Sequence, residues 1–130
     1  MKVLIADDHP LFRASIIHAM NSLEDDLTVV EAGDFEAAAQ IAETQKDFDL
    51  VLLDLIMPGM EPIEGLQRII GLQPQTPVVV VSAIENRRDA LQTIDLGATG
   101  YIPKTVSEEE FLSMLKVVMA GGLCLPRHFS

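Results

Sequence analysis

Leu50-Val51-Leu52-Leu53-Asp54-Leu55-Ile56-Met57-Pro58-Gly59 decides how the rest of the chain is read. It opens with four apolar residues and no polar interruption, the pattern of a strand covered on both faces, as in the middle of a parallel sheet. One carboxylate follows, Asp54, and Pro58-Gly59 ends the element. An aspartate at the exit of a buried strand stands on the sheet edge where open α/β folds keep their ligand sites. The flanking segments determine what else reaches that edge.

Upstream, Val3-Leu4-Ile5-Ala6 is a short apolar strand closed by Asp7-Asp8. Pro10 suits a first helical turn, and Leu11, Phe12, Ile16, Ile17 and Met20 recur at helical spacing until Asn21-Ser22. Residues 27–31 read as a second strand through Thr28, Val29 and Val30, and Asp34 caps an alanine-rich helix over 35–44. Downstream, 61–72 repeats the helical spacing through Ile63, Leu66, Ile69 and Ile70. Val78-Val79-Val80-Val81 is a second buried strand ending at Ser82-Ala83, and 86–96 is a helix stopped by Gly97. Gly100-Tyr101-Ile102 is a short strand ending at Pro103-Lys104; Ser107 with Glu110 forms a capping-box signature, and 111–120 is the last helix. The apolar helix stripes are read as core. Five strand–helix units in alternation imply an α/β fold, a parallel sheet with helices on both faces. Residues 1–120 are expected to form one domain, and 121–130, which lack a periodic pattern, to begin a linker or tail.

Composition narrows the function. The 130 residues carry a net charge of -11, against binding nucleic acid unaided, because phosphate contacts need clustered Lys and Arg. A mean hydropathy of +0.27 argues against disorder. The single cysteine, Cys124, cannot form an internal disulfide, which fits a reducing cytoplasm. Neither a signal peptide nor a bilayer-spanning run is read from the sequence, so no membrane contact is expected.

Right-handed crossovers bring the strand exits to one edge. That edge receives Asp7, Asp8, Asp54, Ser82 and Lys104. With the strand order 2-1-3-4-5 known from flavodoxin-like sheets, adopted by analogy, the three aspartates converge. Two carboxylates ~4.5 Å apart repel by roughly 3–4 kcal/mol at an effective dielectric near 20, so a pKa must rise or a cation must bind. A small hard dication, Mg²⁺, suits an all-oxygen site. Carboxylates, metal, ammonium and hydroxyl together suit phosphoryl transfer, which is mostly positioning and charge neutralisation, with Asp54 as the nucleophile. Taken singly these residues have ordinary readings. Asp54, Asp7-Asp8 and Ser82 are turn or cap residues, Lys104 a solvated loop lysine, Tyr101 a strand aromatic, Arg87-Arg88 a solvated helix face, and His9 a capping or surface residue.

The motifs Asp7-Asp8-His9-Pro10, Asp54-Leu55-Ile56-Met57-Pro58-Gly59, Ser82-Ala83 and Gly100-Tyr101-Ile102-Pro103-Lys104, each after its own strand, make the chain resemble the receiver domain of two-component response regulators. The resemblance covers about the first 120 residues and implies a CheY-like fold. The continuation His9-Pro10-Leu11-Phe12-Arg13 is similar to the NarL/LuxR-type subfamily, whose members usually carry a C-terminal helix-turn-helix DNA-binding domain. On that likeness the chain is expected to be the receiver piece of a longer transcription regulator.

The resemblance also implies roles. Asp54 takes a phosphoryl group from the phosphohistidine of a sensor histidine kinase. Asp8 and Asp54 ligate Mg²⁺ with the carbonyl of Ile56, and Asp7 acts mainly through water. Lys104 and the Ser82 hydroxyl bind phosphate oxygens, helped by the backbone N–H groups of Leu55 and Ala83. Ser82 and Tyr101 are the switch pair, and a homodimer on phosphorylation is a possible outcome. The domain would catalyse its own phosphorylation and dephosphorylation and no metabolic reaction.

Two departures from the family pattern stand out. Thr105, not proline, follows Lys104, so no cis bond is expected there. Ile56 and Ile84 occupy positions that are often polar and water-orienting, which predicts slow self-dephosphorylation. Other classes fit less well. A Mg²⁺-dependent aspartyl-phosphate phosphatase of haloacid-dehalogenase type wants a second aspartate where Ile56 stands. A flavodoxin-like nucleotide binder needs a phosphate loop where Asp7-Asp8 would repel its ligand. A docking-only pseudo-receiver has no need of Asp8, Asp54 and Lys104.

Overall fold

The computed structural model describes residues 1–84 and 86–126. Five parallel strands, β1 (Lys2–Ala6), β2 (Thr28–Ala32), β3 (Leu50–Asp54), β4 (Val78–Ser82) and β5 (Gly100–Pro103), lie in the order β2-β1-β3-β4-β5. They alternate with helices α1 (Pro10–Asn21), α2 (Phe35–Thr44), α3 (Pro62–Leu72), α4 (Arg87–Asp95) and α5 (Glu108–Met119). This is the expected fold and strand order.

The uninterrupted apolar runs are explained by two cores, one on each face of the sheet. Successive strand side chains point to opposite faces. Leu4, Val51, Leu53 and Val80 therefore pack with Ala38 and Ala42 of α2, Leu66 and Ile69 of α3, and Ala90 of α4. Their sequence neighbours Ile5, Leu50, Leu52, Val79 and Val81 pack with Ile16 and Met20 of α1 and with Leu115 and Val118 of α5. Each such large apolar side chain removed from water favours folding by about 1.5–3 kcal/mol. β3 and β4 are buried along their whole length, which fixes the position of the residues that emerge from them.

Two local expectations are corrected. α5 begins at Glu108, three residues before the apolar stripe. Ser107 Oγ accepts from the Glu110 N–H at 3.1 Å, and three glutamates in the first turn complement the helix dipole. Leu11, counted with the core stripe of α1, is 87% exposed, whereas its neighbour Phe12 packs against the second core. Adjacent residues on a helix are about 100° apart, so a narrow contact takes one and leaves the other outside.

Residues 121–126, where the sequence loses its period, lie along the free edge of β5. The Cys124 N–H donates to Thr99 O at 3.1 Å and the Tyr101 N–H donates to Cys124 O at 3.0 Å, forming a parallel bridge between Gly100 and Cys124. Cys124 Sγ lies where a Cβ on residue 100 would have to sit, so this approach requires glycine there. Burial pushes the Cys124 thiol up to about 11, despite its backbone contact with Tyr101.

Candidate functional site

The register assembles the site. Ala6 pairs with Leu53, so Asp7 emerges beside Asp54. Asp54 pairs with Val81, and Ser82 with Pro103, so Ser82 and Lys104 emerge next along the same edge. Lys104 Nζ reaches 2.8 Å from Asp7 Oδ2 and 3.1 Å from Asp54 Oδ2. The Lys104 N–H donates to Ser82 O at 2.8 Å, which fixes the root of the lysine. Its ammonium also stands 4.5 Å from the centre of the Phe12 ring, a cation–π contact that helps hold the side chain over the pocket.

Asp7 and Asp54 are buried, and Asp8 is more open. Asp54 Oδ1 accepts from the Ile56 N–H at 3.0 Å. Burial raises the Asp54 pKa above its ordinary value, and the Ile56 N–H and Lys104 oppose that rise. Burial alone would lower the Lys104 pKa, but the carboxylates of Asp7 and Asp54 beside it outweigh that and the net direction is up. One ammonium therefore faces three carboxylates. Asp7 Oδ2 and Asp8 Oδ1 are buried without a hydrogen bond. Asp7 Oδ2 nevertheless lies within ion-pair distance of Lys104, and Asp8 Oδ1 is 3.1 Å from His9 Nδ1. Buried polar atoms without hydrogen bonds call for an explanation, and three carboxylates around one ammonium supply it in an excess of negative charge. The donor set is hard oxygen with unmet demand for positive charge, and it fits a divalent cation.

The other expected residues frame this centre. Ser82 is fully buried, and its Oγ accepts from the Ile84 N–H at 3.1 Å. Tyr101 is also fully buried, and its hydroxyl donates to the Ile84 carbonyl. Leu55 is buried and Ala83 exposed, while Ile56 presents a half-exposed side chain at the rim. All peptide bonds among the described residues are trans. Two positioning residues escaped the sequence reading. Phe12 steadies Lys104, as above. Arg13 donates to the Asp7 carbonyl and, through Nε, to Glu31 Oε1 at 2.9 Å, joining the exits of β1 and β2. Their signal was available in principle: both sit in the first turn and a half after Pro10, where a helix starting at this edge turns side chains back toward it. His9 was expected at a cap or the surface. It is the N-cap of α1, yet its side chain makes no capping hydrogen bond. The side chain is largely exposed, as expected, and its Nδ1 lies 3.1 Å from Asp7 Oδ1 and Asp8 Oδ1.

The chain matches the family profile described as the response regulator receiver domain over residues 3–116. It is 38% identical over 125 residues to a glycerol metabolism activator of Pseudomonas putida, covering 96% of this chain and 57% of that protein. It is 36% identical over 124 residues to the nitrate/nitrite response regulator protein NarL of Escherichia coli strain K12, covering 95% and 56%. A solved two-component response regulator of the LuxR family from Aurantimonas sp. SI85-9A1 superimposes with a TM-score of 0.84 at 25% identity, covering 98% of this chain and 91% of that one. The chain spans little more than half the length of the curated relatives it matches.

Proposed function

The chain belongs to the response regulator receiver domain family, of the NarL/LuxR type, and we propose that it accepts a phosphoryl group on Asp54 from the phosphohistidine of a sensor histidine kinase. As a receiver domain it is a signalling module and not a metabolic enzyme. The observation that carries the reading is the meeting of Asp54, Asp7 and Lys104 within 3.1 Å, from segments far apart in sequence. A carboxylate oxygen of Asp54 attacks phosphorus, the P–N bond breaks, and the leaving imidazole keeps the electron pair and takes a proton. Asp8, Asp54 and the Ile56 carbonyl would hold Mg²⁺, with Asp7 acting through water; the ion supplies charge neutralisation for the phosphoryl oxygens. Lys104 and the Ser82 hydroxyl bind those oxygens, with the N–H groups of Leu55 and Ala83 alongside.

Ser82 and Tyr101 transmit the change. Ser82 Oγ leaves the Ile84 N–H for the phosphoryl group, and Tyr101, bonded to the Ile84 carbonyl, follows that loop. Residues 1–120 act as the phosphoacceptor domain, and 121–130 lead toward an output domain. The relatives at 38% and 36% identity are longer than this chain, and on that footing we propose a DNA-binding output controlling transcription, with a homodimer on phosphorylation. No described helix is long and apolar enough to cross a membrane, and we place the protein in the cytoplasm.

Incubation with Mg²⁺ and a small acyl-phosphate donor, followed by mass measurement of the intact protein, tests the assignment. One added phosphoryl group is expected in the parent and none in Asp54→Asn. An unmodified parent, or equal modification of the variant, defeats it.

A further inference from the structure

We propose that the His9 imidazole is a further ligand for the divalent cation of this pocket, and that it shifts the pocket's preference from magnesium toward first-row transition cations. The inference rests on the receiver reading for the presence of a cation; the nitrogen donor belongs to this chain's own geometry. Four observations carry it.

His9 Nδ1 lies 3.1 Å from Asp7 Oδ1, 3.1 Å from Asp8 Oδ1 and 4.0 Å from Asp54 Oδ2. One ligand atom from each of these four residues falls within 4.8 Å of all the others. Metal–ligand distances of about 2.0–2.2 Å place opposite ligands a little over 4 Å apart, so a slight contraction closes the set.

The ring is also anchored. The His9 N–H donates to Asp7 Oδ1 at 2.8 Å, which keeps the root of the side chain at the pocket. The N-cap position gives the ring no competing task, because its side chain makes no capping bond.

Lys104 Nζ lies 3.2 Å from His9 Nδ1. An ammonium has no lone pair to offer, so this contact is a hydrogen bond only when Nδ1 is the bare ring nitrogen. A bare Nδ1 has one in-plane lone pair, which would then face the ammonium, so binding a cation there exchanges the Lys104 contact for the metal.

Asp8 Oδ1, buried and without a hydrogen bond, is the orphaned acceptor beside that nitrogen. An all-oxygen pocket suits magnesium, which gains little from imidazole. Imidazole favours the first-row cations over magnesium, least for manganese(II) and increasingly along the series to copper.

The test uses the full chain with manganese(II) and magnesium as probes. Calorimetric titration of the parent, His9→Ala and His9→Asn compares the two affinities. The manganese-to-magnesium affinity ratio is expected to fall roughly tenfold or more in both variants, the scale on which even outer partners affect metal sites, with the magnesium constant little moved. Electron spin-echo spectra of the manganese-loaded parent are expected to show modulation from a ring nitrogen that changes on ¹⁵N-histidine labelling and vanishes in His9→Ala. An unchanged affinity ratio overturns the inference, as does a nitrogen signal that survives in His9→Ala. Phosphorylation of Asp54 in magnesium is measured on the same samples. Its failure would remove the receiver reading while leaving the nitrogen readout to decide the ligand, and normal phosphorylation without a nitrogen signal removes the ligand alone.

Discussion

At each end of the sheet a lysine sits among oxygens, and the two ends are built differently. At the end where the strands enter, Lys46 Nζ donates to Ala42 O at 2.9 Å and Leu72 O at 2.7 Å, at the closing turns of α2 and α3. Buried Gln73 donates to Ala42 O at 2.8 Å and Gln45 O at 2.7 Å, and its own Oε1 accepts from Thr76 Oγ1 at 3.1 Å. Helix-end carbonyls that lack intrahelical partners are given donors here. At the exit end Lys104 pairs with Asp7 and Asp54, with Asp8 alongside them, and Asp7 Oδ2 and Asp8 Oδ1 are buried without a hydrogen bond. One network is complete and serves the fold. The other holds an unmet demand for positive charge, which a ligand can answer.

The strongest way to break this contrast is to remove each centre and then add a cation. Lys104→Met strands buried Asp7 and Asp54 without their ammonium and should cost about 2–3 kcal/mol in chelator, below the 3–5 of a fully buried pair because the ammonium is partly wet. Urea unfolding should then show much of the loss recovered in magnesium. Gln73→Ala should cost about 1–3 kcal/mol by taking the side-chain donor from Gln45 O and leaving Ala42 O to Lys46 alone, and magnesium should not restore it. Equal rescue at both ends, or at neither, would erase the distinction.

A smaller effect sharpens it. Burial holds the Asp54 carboxyl above its ordinary 3.8, although the Ile56 N–H and Lys104 pull it down. A carboxyl that keeps its proton more firmly when folded favours folding below 3.8 and loses that contribution as pH rises through the folded value. In chelator at neutral pH, Asp54→Asn should therefore melt above the parent, and the gap should close as pH falls toward 3.8. A gap that widens on acidification contradicts the assignment.

The smallest structural change concerns the rim. Ile56→Asn at a half-exposed position should alter stability by no more than about 0.5 kcal/mol. It should shorten the lifetime of the phosphorylated protein about tenfold, less than the 10²–10⁴ of a full general base. A parent lifetime of seconds would refute the reading of Ile56 and Ile84 as hydrolysis-slowing residues.

The fold was legible where pattern and burial coincide. The unbroken apolar runs of β3 and β4 announced strands covered on both faces, and the exits of those strands announced Asp54 and Ser82. The strand order was not in the pattern; it came by analogy. Leu11 was misplaced because an apolar stripe does not say which of two adjacent residues the sheet will take. Gln73 and Lys46 were invisible because their partners are backbone carbonyls, which have no letter in the sequence. The docking of Cys124 on β5 escaped for a related reason, since edge pairing depends on a neighbour more than twenty positions away. His9 is the exposed N-cap residue that its position suggests, but its letter does not reveal that the ring turns toward the aspartates and makes no capping bond.

Tyr101 is tied at both ends. Its hydroxyl holds the carbonyl of Ile84, two residues past Ser82, and its amide holds the carbonyl of Cys124 in the stretch that leaves the last helix. Both bonds are made by one side chain and one amide of a residue that is itself part of the core on one face of the sheet. A single residue thus bridges the sheet edge that holds Asp54 and Lys104 and the segment that runs back along β5.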